Sequence, residues 1–175
     1  MSAKRISKDA YYLNIAREVA RRSTCFRRSI GAIIIRGDQI ISTGYAGAPR
    51  KTKDCLEQGE CLRDKLNIPH GQRYELCRSV HAEQNAIINA ARAGVSLFGG
   101  DMYIYGSIPE KGEPIDAFPC FICKKMIINA GLDRVICSKQ GGGMNVFKIE
   151  DWIKDWQVKD IIDDKHQYGL DKKSF

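Results

Sequence analysis

Two stretches decide the fold, HAEQNAIINAARAG at residues 81–94 and PCFICKKMIINAG at residues 119–131. In the first, apolar residues recur at spacings of three and four after His81, which is typical of one face of a helix. In the second, Pro119 suits the start of a helix and Gly131 suits its C-terminal cap. The sequence therefore predicts two helices, each beginning at residues whose side chains can bind a metal.

The two predicted helix starts carry one imidazole and two thiols, at His81, Cys120 and Cys123. Zinc takes four ligands in proteins, and a catalytic zinc site keeps one of the four positions for water. A first helical turn favours thiolates, because its free N–H groups and the positive end of the helix dipole stabilise negative charge. These three residues are therefore predicted to bind one catalytic zinc ion.

Glu83 is interpreted as a proton shuttle rather than as a ligand. A carboxylate beside zinc-bound water can take its proton and later return it to a leaving group. Each half of the motif alone has an ordinary explanation, since HAE can simply start a helix and PCxxC can be a redox pair or half of a structural zinc site. Both halves in this order favour a catalytic centre, with a structural zinc knuckle or a degenerate site as the alternatives.

Composition indicates one ordinary domain in a reducing compartment. The chain has 175 residues, enough for a single domain, spanning 1–175, to bury a normal core. Its seven cysteines are an odd number, which argues against a framework made only of disulfides. Neither a signal peptide nor an apolar run long enough for a bilayer is visible, so a cytoplasmic protein with no membrane partner is expected.

The net charge of +7 at pH 7 is concentrated near the amino terminus. Such a balance suits an anionic partner, either the phosphate of a nucleotide or a polynucleotide. A solvated basic helix face is the alternative. The basic residues in the first 28 positions are Lys4, Arg5, Lys8, Arg17, Arg21, Arg22, Arg27 and Arg28.

Alternating helices and strands predict an α/β sandwich with both motif helices on one face of a central sheet. A long cysteine-bearing loop insert with one short helix is expected at about 45–80, and a polar loop at 107–118. A helix is predicted after Ser7, and strands are predicted at 30–35, 39–43, 102–105 and 134–137. The first two strands are joined by a hairpin turn at Gly37-Asp38. A C-terminal helix and tail are expected at about 144–175, charged and mobile from Asp163 on.

At the two motif stretches the chain resembles the cytidine and deoxycytidylate deaminase superfamily, whose zinc signature has this order. The loop GYAGAP at residues 44–49 resembles the GYNGAP loop of deoxycytidylate deaminases, and so does the insert before CRSVHAE. The resemblance spans residues 6–140. It implies a three-layer α/β/α sandwich around a mixed five-stranded sheet, one catalytic zinc ion and usually a hexamer. It also implies hydrolysis of dCMP to dUMP and ammonia, with dCTP as activator and dTTP as inhibitor.

Ala46 departs from the family, which has at this position an asparagine that hydrogen-bonds the sugar hydroxyl. Alanine cannot make that bond, so a neighbouring group or a backbone amide must replace it, or sugar recognition is weaker. The linker before Pro119 is also longer than is usual in the family.

The resemblance also implies which residues contact ligands. Ala82 is expected to contact the substrate. Loop or effector contacts are expected from Gly44, Tyr45, Ala46, Gly47, Arg50 and Arg92. For Arg92, a solvent-facing helix residue is the alternative.

Two arginines, Arg27 and Arg28, precede the first predicted strand and are candidate ligands of a substrate phosphate. The planar guanidinium fork matches phosphate oxygens. Ordinary surface charge is the alternative for each of them.

Four further thiols, at Cys25, Cys55, Cys61 and Cys77, suit a closed structural zinc site. Relatives carry a second zinc in this region with ligands that vary and can include histidine, so His70 is a possible substitute. Buried or free thiols without a metal are the alternative. Cys137, at a predicted strand end, is interpreted as a buried small hydrophobe.

The leading functional hypothesis is a deaminase acting on dCMP. One alternative is a deaminase acting on a base within nucleic acid, as tRNA adenosine deaminases do, and another is a non-catalytic, zinc-stabilised nucleotide-binding accessory protein. The GYAGAP loop and the insert are nucleotide-type features, so nucleic acid is not the expected partner. The presence of Glu83 weighs against the accessory protein, because a structural zinc needs no proton shuttle.

Overall fold

The computed structural model describes residues 5–158, and the tail predicted from Asp163 on lies outside that range. The helices are α1 Lys8–Ala20, α2 Cys55–Gln58, α3 Leu62–Lys65, α4 Ala82–Arg92, α5 Phe121–Asn129 and α6 Ile149–Val158, with a 3₁₀ turn at Tyr74–Leu76. The strands are β1 Ser29–Arg36, β2 Gln39–Tyr45, β3 Asp101–Ser107, β4 Arg134–Ser138 and β5 Met144–Lys148.

The five strands form one mixed sheet in the order β2-β1-β3-β4-β5, as the resemblance implied. Strands β3 and β4 are parallel, and α5 lies on the crossover between them. The other neighbours are antiparallel. The β1–β2 hairpin turns at Gly37 and Asp38, both with positive φ, which confirms the turn predicted there.

Residues of β1 alternate between two buried clusters, because successive strand side chains point to opposite faces of a sheet. Ile33 and Ile35 pack with Leu13 of α1 on one face. Ile34 packs on the other face in a cluster that includes buried residues of α4, α5 and α6. The fold is therefore a three-layer sandwich, and the prediction that both motif helices share one face is confirmed.

Two predictions about irregular regions were wrong. Residues 144–148 were assigned to the C-terminal helix but form β5, which pairs with β4 after a turn of three positive-φ glycines at 141–143. Its side chains are half-buried or exposed, so the strand lacks the alternation that would have identified it. The insert contains two four-residue helices and a 3₁₀ turn rather than one short helix. Among the described residues, no helix is long and apolar enough to span a lipid bilayer.

Candidate metal centre and substrate pocket

The starts of α4 and α5 meet on one face of the sheet. His81 is the N-cap of α4, Cys120 is the N-cap of α5, and Cys123 lies in the first turn of α5. Nδ1 of His81 lies 3.3 Å from Sγ of Cys120 and 3.4 Å from Sγ of Cys123. Within residues 5–158, these three form the only group of three metal-binding side chains whose ligand atoms all lie within 4.8 Å of one another.

The spacing of these atoms fits a zinc ion. Tetrahedral zinc with bonds of about 2.3 Å to sulfur and about 2.0 Å to nitrogen places a sulfur and a nitrogen roughly 3.5 Å apart. The two sulfur–nitrogen distances of 3.3 and 3.4 Å match that value closely. His81, Cys120 and Cys123 can therefore hold zinc while leaving its fourth position open to solvent or substrate.

The two thiols of the triad have opposite proton affinities. Hydrogen bonds from Cys123 and His81 lower the pKa of Cys120 to about 4, against the cost of its burial. The hydrogen bond to Cys120, together with burial, raises the pKa of Cys123. A dication bound between the two thiols would favour the thiolate form of both.

Glu83, the second residue of α4, lies beside this triad and is only 5% exposed. Its carboxyl group lines the same cavity as His81 and Cys120. Burial raises the pKa of Glu83 above its ordinary value. A carboxyl group with a raised pKa both accepts and returns protons more readily near neutral pH, which suits proton transfer.

A cavity of about 580 Å³ is lined by His81 and Cys120 of the triad and by Glu83. The long loop before Pro119 forms one wall, where Ser138 holds it by donating from Oγ to the Ile115 carbonyl oxygen at 2.9 Å. Sequence reasoning did not identify several lining residues, because they come from this loop, from the insert and from the turn after β4. These are Arg63, Tyr74, Ile108, Ile115, Asp116, Phe118 and Gln140.

The glycine-rich loop joins the sheet to α4 at this cavity. A Cβ on Gly44 would lie 2.3 Å from both the Ala82 carbonyl oxygen and the Ala86 amide nitrogen, so only glycine allows β2 to approach α4 this closely. Asn85 of α4 donates from Nδ2 to the Tyr45 carbonyl oxygen at 2.8 Å. The backbone of Gly47 pairs with that of Val80, immediately before the metal ligand of α4.

Ala46 lies at the cavity wall, but its backbone is committed elsewhere. Its amide donates to the Ile30 carbonyl oxygen at 3.0 Å, and its carbonyl oxygen accepts from the Thr24 amide and the Ser23 hydroxyl. Neither group can substitute for the missing asparagine side chain without losing these bonds. Any replacement contact to a sugar would therefore come from another residue, and without one sugar recognition would be weaker.

The predicted phosphate ligands differ in their surroundings, although both line the cavity. Arg27 donates from Nε to Asp64 at 2.7 Å and from Nη2 to the Ile68 carbonyl oxygen at 2.9 Å, so it anchors the insert. Arg28 donates from Nη1 to the Arg27 carbonyl oxygen at 3.3 Å.

The other predicted contact residues divide between the cavity and its outside. Ala82 is fully buried at the cavity wall. Arg50 and Arg92 do not line the cavity. Arg50 donates to Asn89 of α4 at 2.6 Å, and Arg92 is an exposed residue at the end of that helix.

The four insert-side thiols and His70 all line the same cavity, which brings together residues far apart in sequence. No three of these five groups have ligand atoms within 4.8 Å of one another. A tetrahedral zinc–thiolate site requires sulfur atoms roughly 3.8 Å apart. Burial raises the pKa of Cys55 and Cys77, which favours their thiol forms. The structure therefore gathers these side chains on one wall without the spacing of a closed zinc site.

Comparisons with known proteins agree with this geometry. The family "Cytidine and deoxycytidylate deaminase zinc-binding region" matches residues 6–139. Deoxycytidylate deaminases of Schizosaccharomyces pombe and Saccharomyces cerevisiae are each 33% identical to the chain, over 132 and 135 residues. These stretches cover 75% and 77% of this chain but only 37% and 38% of the yeast proteins, so the chain spans well under half the length of these relatives.

A solved structure shares the fold. The dCMP deaminase from cyanophage S-TIM5, in complex with dCMP and dUMP, superposes with a TM-score of 0.56 at 22% identity, covering 88% of this chain and 94% of that chain. The family match includes the triad and the carboxylate beside it. The chain therefore belongs to the cytidine and deoxycytidylate deaminase zinc-binding family.

Proposed function

We propose that this protein hydrolyses dCMP to dUMP and ammonia. The observation that carries the proposal is the position of Glu83, a buried carboxyl group two residues after His81 that lines the same cavity as His81 and Cys120. Membership in the family and the yeast deoxycytidylate deaminases at 33% identity favour dCMP over other cytosine compounds. A purely structural zinc site would give such a carboxyl group no role.

Glu83 moves the protons of the reaction. A zinc ion held by His81, Cys120 and Cys123 would supply an activated water when bound. Glu83 accepts one proton of the water and delivers it to the ring nitrogen of the base, while the hydroxyl group adds to the amine-bearing carbon. It then accepts the proton of that hydroxyl group and passes it to the amine, which leaves as ammonia. Its raised pKa suits both directions of transfer.

Arg28 is the proposed contact to the 5′-phosphate. It lines the cavity, and it donates a hydrogen bond to a backbone carbonyl oxygen rather than to a carboxylate. Arg27, the other candidate, is paired with Asp64, so its contribution would be to hold the insert and add positive charge to the wall. Without the usual asparagine at Ala46, a larger share of the binding free energy must come from base and phosphate.

Further properties of the family extend the proposal. The reaction would supply dUMP for thymidylate synthesis, in a hexamer activated by dCTP and inhibited by dTTP. The proposed effector region is the glycine-rich loop together with Arg50 and Arg92. Arg50 is hydrogen-bonded to Asn89 of α4, and Arg92 is the last residue of that helix. A cytoplasmic location is supported by seven free thiols. A second, structural zinc at Cys25, Cys55, Cys61 and Cys77 would require these thiols to move closer together.

The substrate is tested by measuring ammonia release from cytidine, deoxycytidine, dCMP, dCTP and a tRNA hairpin. Arg28→Ala should raise the KM for dCMP by roughly tenfold or more, because charge-assisted contacts to phosphate are strong, and should change deoxycytidine turnover little. Arg17→Ala, which removes an exposed arginine of α1, is the matched control. Equal effects on both substrates would remove Arg28 from phosphate binding.

Deamination of the hairpin without activity on dCMP would overturn the nucleotide proposal. In that case Arg28→Ala should weaken RNA binding modestly and reduce its salt dependence.

A further inference from the structure

Tyr74, contributed by the cysteine-bearing insert, contacts the imidazole ring of the metal ligand His81. The two ring centroids are 4.9 Å apart and the ring planes meet at 89°. A metal-binding histidine needs an outer contact that fixes the orientation of its ring, and such contacts strongly affect metal affinity. Tyr74 is placed to supply that contact, because it lies against the ring whose Nδ1 faces both triad thiols.

Arg63 also contacts the Tyr74 ring. Its guanidinium carbon lies 4.7 Å from the centre of the Tyr74 ring. Nη2 of Arg63 donates to the carbonyl oxygens of Pro69 and Gln72, at 2.9 and 2.7 Å, so the side chain is tied to the segment that leads into the 3₁₀ turn. Arg63, Tyr74 and His81 therefore form a continuous stack from the insert to the metal centre.

The burial of Arg63 indicates that this stack is more than incidental packing. Arg63 is only 4% exposed, and its Nε has no hydrogen-bond partner within the described part of the chain. Burying a cation is unfavourable unless other groups compensate its charge. The face of an aromatic ring does so through its quadrupole, most strongly where water is excluded. The contact with the Tyr74 ring therefore compensates part of the buried charge of Arg63.

We propose that Arg63 and Tyr74 are a pair of positioning residues that fix the His81 imidazole for metal binding. The pair couples the conformation of the insert to the affinity of the centre for zinc. The inference rests on the metal centre of the proposed function and is independent of dCMP as the substrate. It assigns the insert a role at the catalytic zinc whether or not the insert holds a second metal.

The test is the apparent zinc affinity of Tyr74 variants, measured by chelator competition without substrate. Cys120→Ala supplies the baseline for any zinc held elsewhere. Tyr74→Leu should weaken zinc binding at the triad by about tenfold, the lower end of the range for removing outer hydrogen-bond partners of metal ligands. Tyr74→Phe keeps the ring and should stay within about threefold of wild type, since the edge-to-face contact needs no hydroxyl.

Wild-type affinity in Tyr74→Leu would overturn the proposal, and so would equal weakening in Tyr74→Phe, because the ring contact would then not be what matters. If Tyr74→Leu does not fold, as judged by circular dichroism, Arg63→Met decides. It should weaken zinc binding, whereas Arg78→Met, at an exposed insert arginine that also lines the cavity, should not. Equal affinity in these two variants would overturn the pairing.

Zinc affinity and dCMP deamination can be measured separately. If zinc binding is weaker in Tyr74→Leu but the wild type does not act on dCMP, the positioning role of Tyr74 stands and dCMP is not the substrate. If the wild type deaminates dCMP and all Tyr74 variants bind zinc equally well, dCMP is the substrate and Tyr74 has no positioning role.

Discussion

A Cβ added to Gly44 would lie 2.3 Å from the carbonyl oxygen of Ala82, a distance at which one of the two backbones must move. Gly44 belongs to the end of β2, and Ala82 stands between His81 and Glu83 at the start of α4. The packing of the sheet on this helix therefore fixes the position of the metal centre. This relationship can be tested by a single methyl group.

Gly44→Ala should destabilise the protein by about 1–3 kcal/mol, the usual cost of overpacking a close contact. It should also reduce deamination, because α4 must shift to accept the methyl group. Urea unfolding measures the first effect and ammonia release the second. Thr43→Ala, which truncates the exposed neighbouring residue of β2, is the control and should change neither by much. Unchanged stability in Gly44→Ala would show that the helix and strand separate freely.

Glu83→Gln should leave zinc bound and the fold intact while deamination falls by about 100- to 10,000-fold, because an amide cannot accept the proton of the water. The zinc content and the circular dichroism spectrum check the first part, and turnover checks the second. Glu113→Gln, an exposed loop carboxylate, serves as the control. Turnover within about tenfold of wild type would exclude Glu83 as the proton shuttle.

Cys120→Ala and Cys123→Ala should each lose the catalytic zinc together with activity, because only two protein ligands would remain. Metal analysis of the purified variants measures this loss. Cys137→Ala tests whether loss of a buried thiol alone has the same result, since Cys137 is fully buried outside the triad.

The zinc content of the wild type tests the second site at Cys25, Cys55, Cys61 and Cys77. A content near two ions per chain would support that site, and one ion per chain would count against it.

The pairing of Asp64 with Arg27 predicts a pH-dependent contribution to stability. The hydrogen bond from Arg27 lowers the pKa of Asp64 below its ordinary value of 3.8. Because the folded pKa is the lower one, the stabilisation is fully present above the ordinary value and is lost as the pH falls through the folded value. Asp64 is 54% exposed, so the contribution should be about 1 kcal/mol or less.

Urea unfolding of wild type and Asp64→Asn between pH 7 and pH 2 measures this contribution. The difference in the free energy of unfolding should be constant at the upper pH values and should shrink towards zero at the lowest. Asp155→Asn, at an exposed residue of α6, is the control. A difference that grows as the pH falls would contradict the assignment.

The sequence predicted the elements whose buried residues form a regular pattern, either at helical spacing or as a continuous apolar run. Ala86 and Ala90 repeat at helical spacing because one face of α4 is fully buried, and residues 30–35 read as a strand because β1 is buried on both faces. Residues 144–148 have no such pattern, because β5 lies at the edge of the sheet. The triad could be predicted because zinc chemistry restricts ligand type and spacing within a local motif.

The roles of Arg63 and Tyr74 could not be predicted in this way. Both lie in short elements of the insert, four and three residues long, where no periodicity develops. Their positions depend on tertiary contacts such as that between Arg27 and Asp64, which joins residues 37 positions apart. The buried arginine at position 63 looks like ordinary surface charge in the sequence, since arginine is rarely buried.

The triad joins parts of the chain that lie far apart, since Cys120 and His81 are separated by 39 positions. Between them run α4, β3 and the loop that forms one wall of the cavity. An ion bound by all three side chains would close this long segment into a ring and reduce the number of conformations open to the unfolded chain. Zinc would then act as a reversible cross-link, so the ion that serves the chemistry would also decide how long each molecule survives heat and proteolysis.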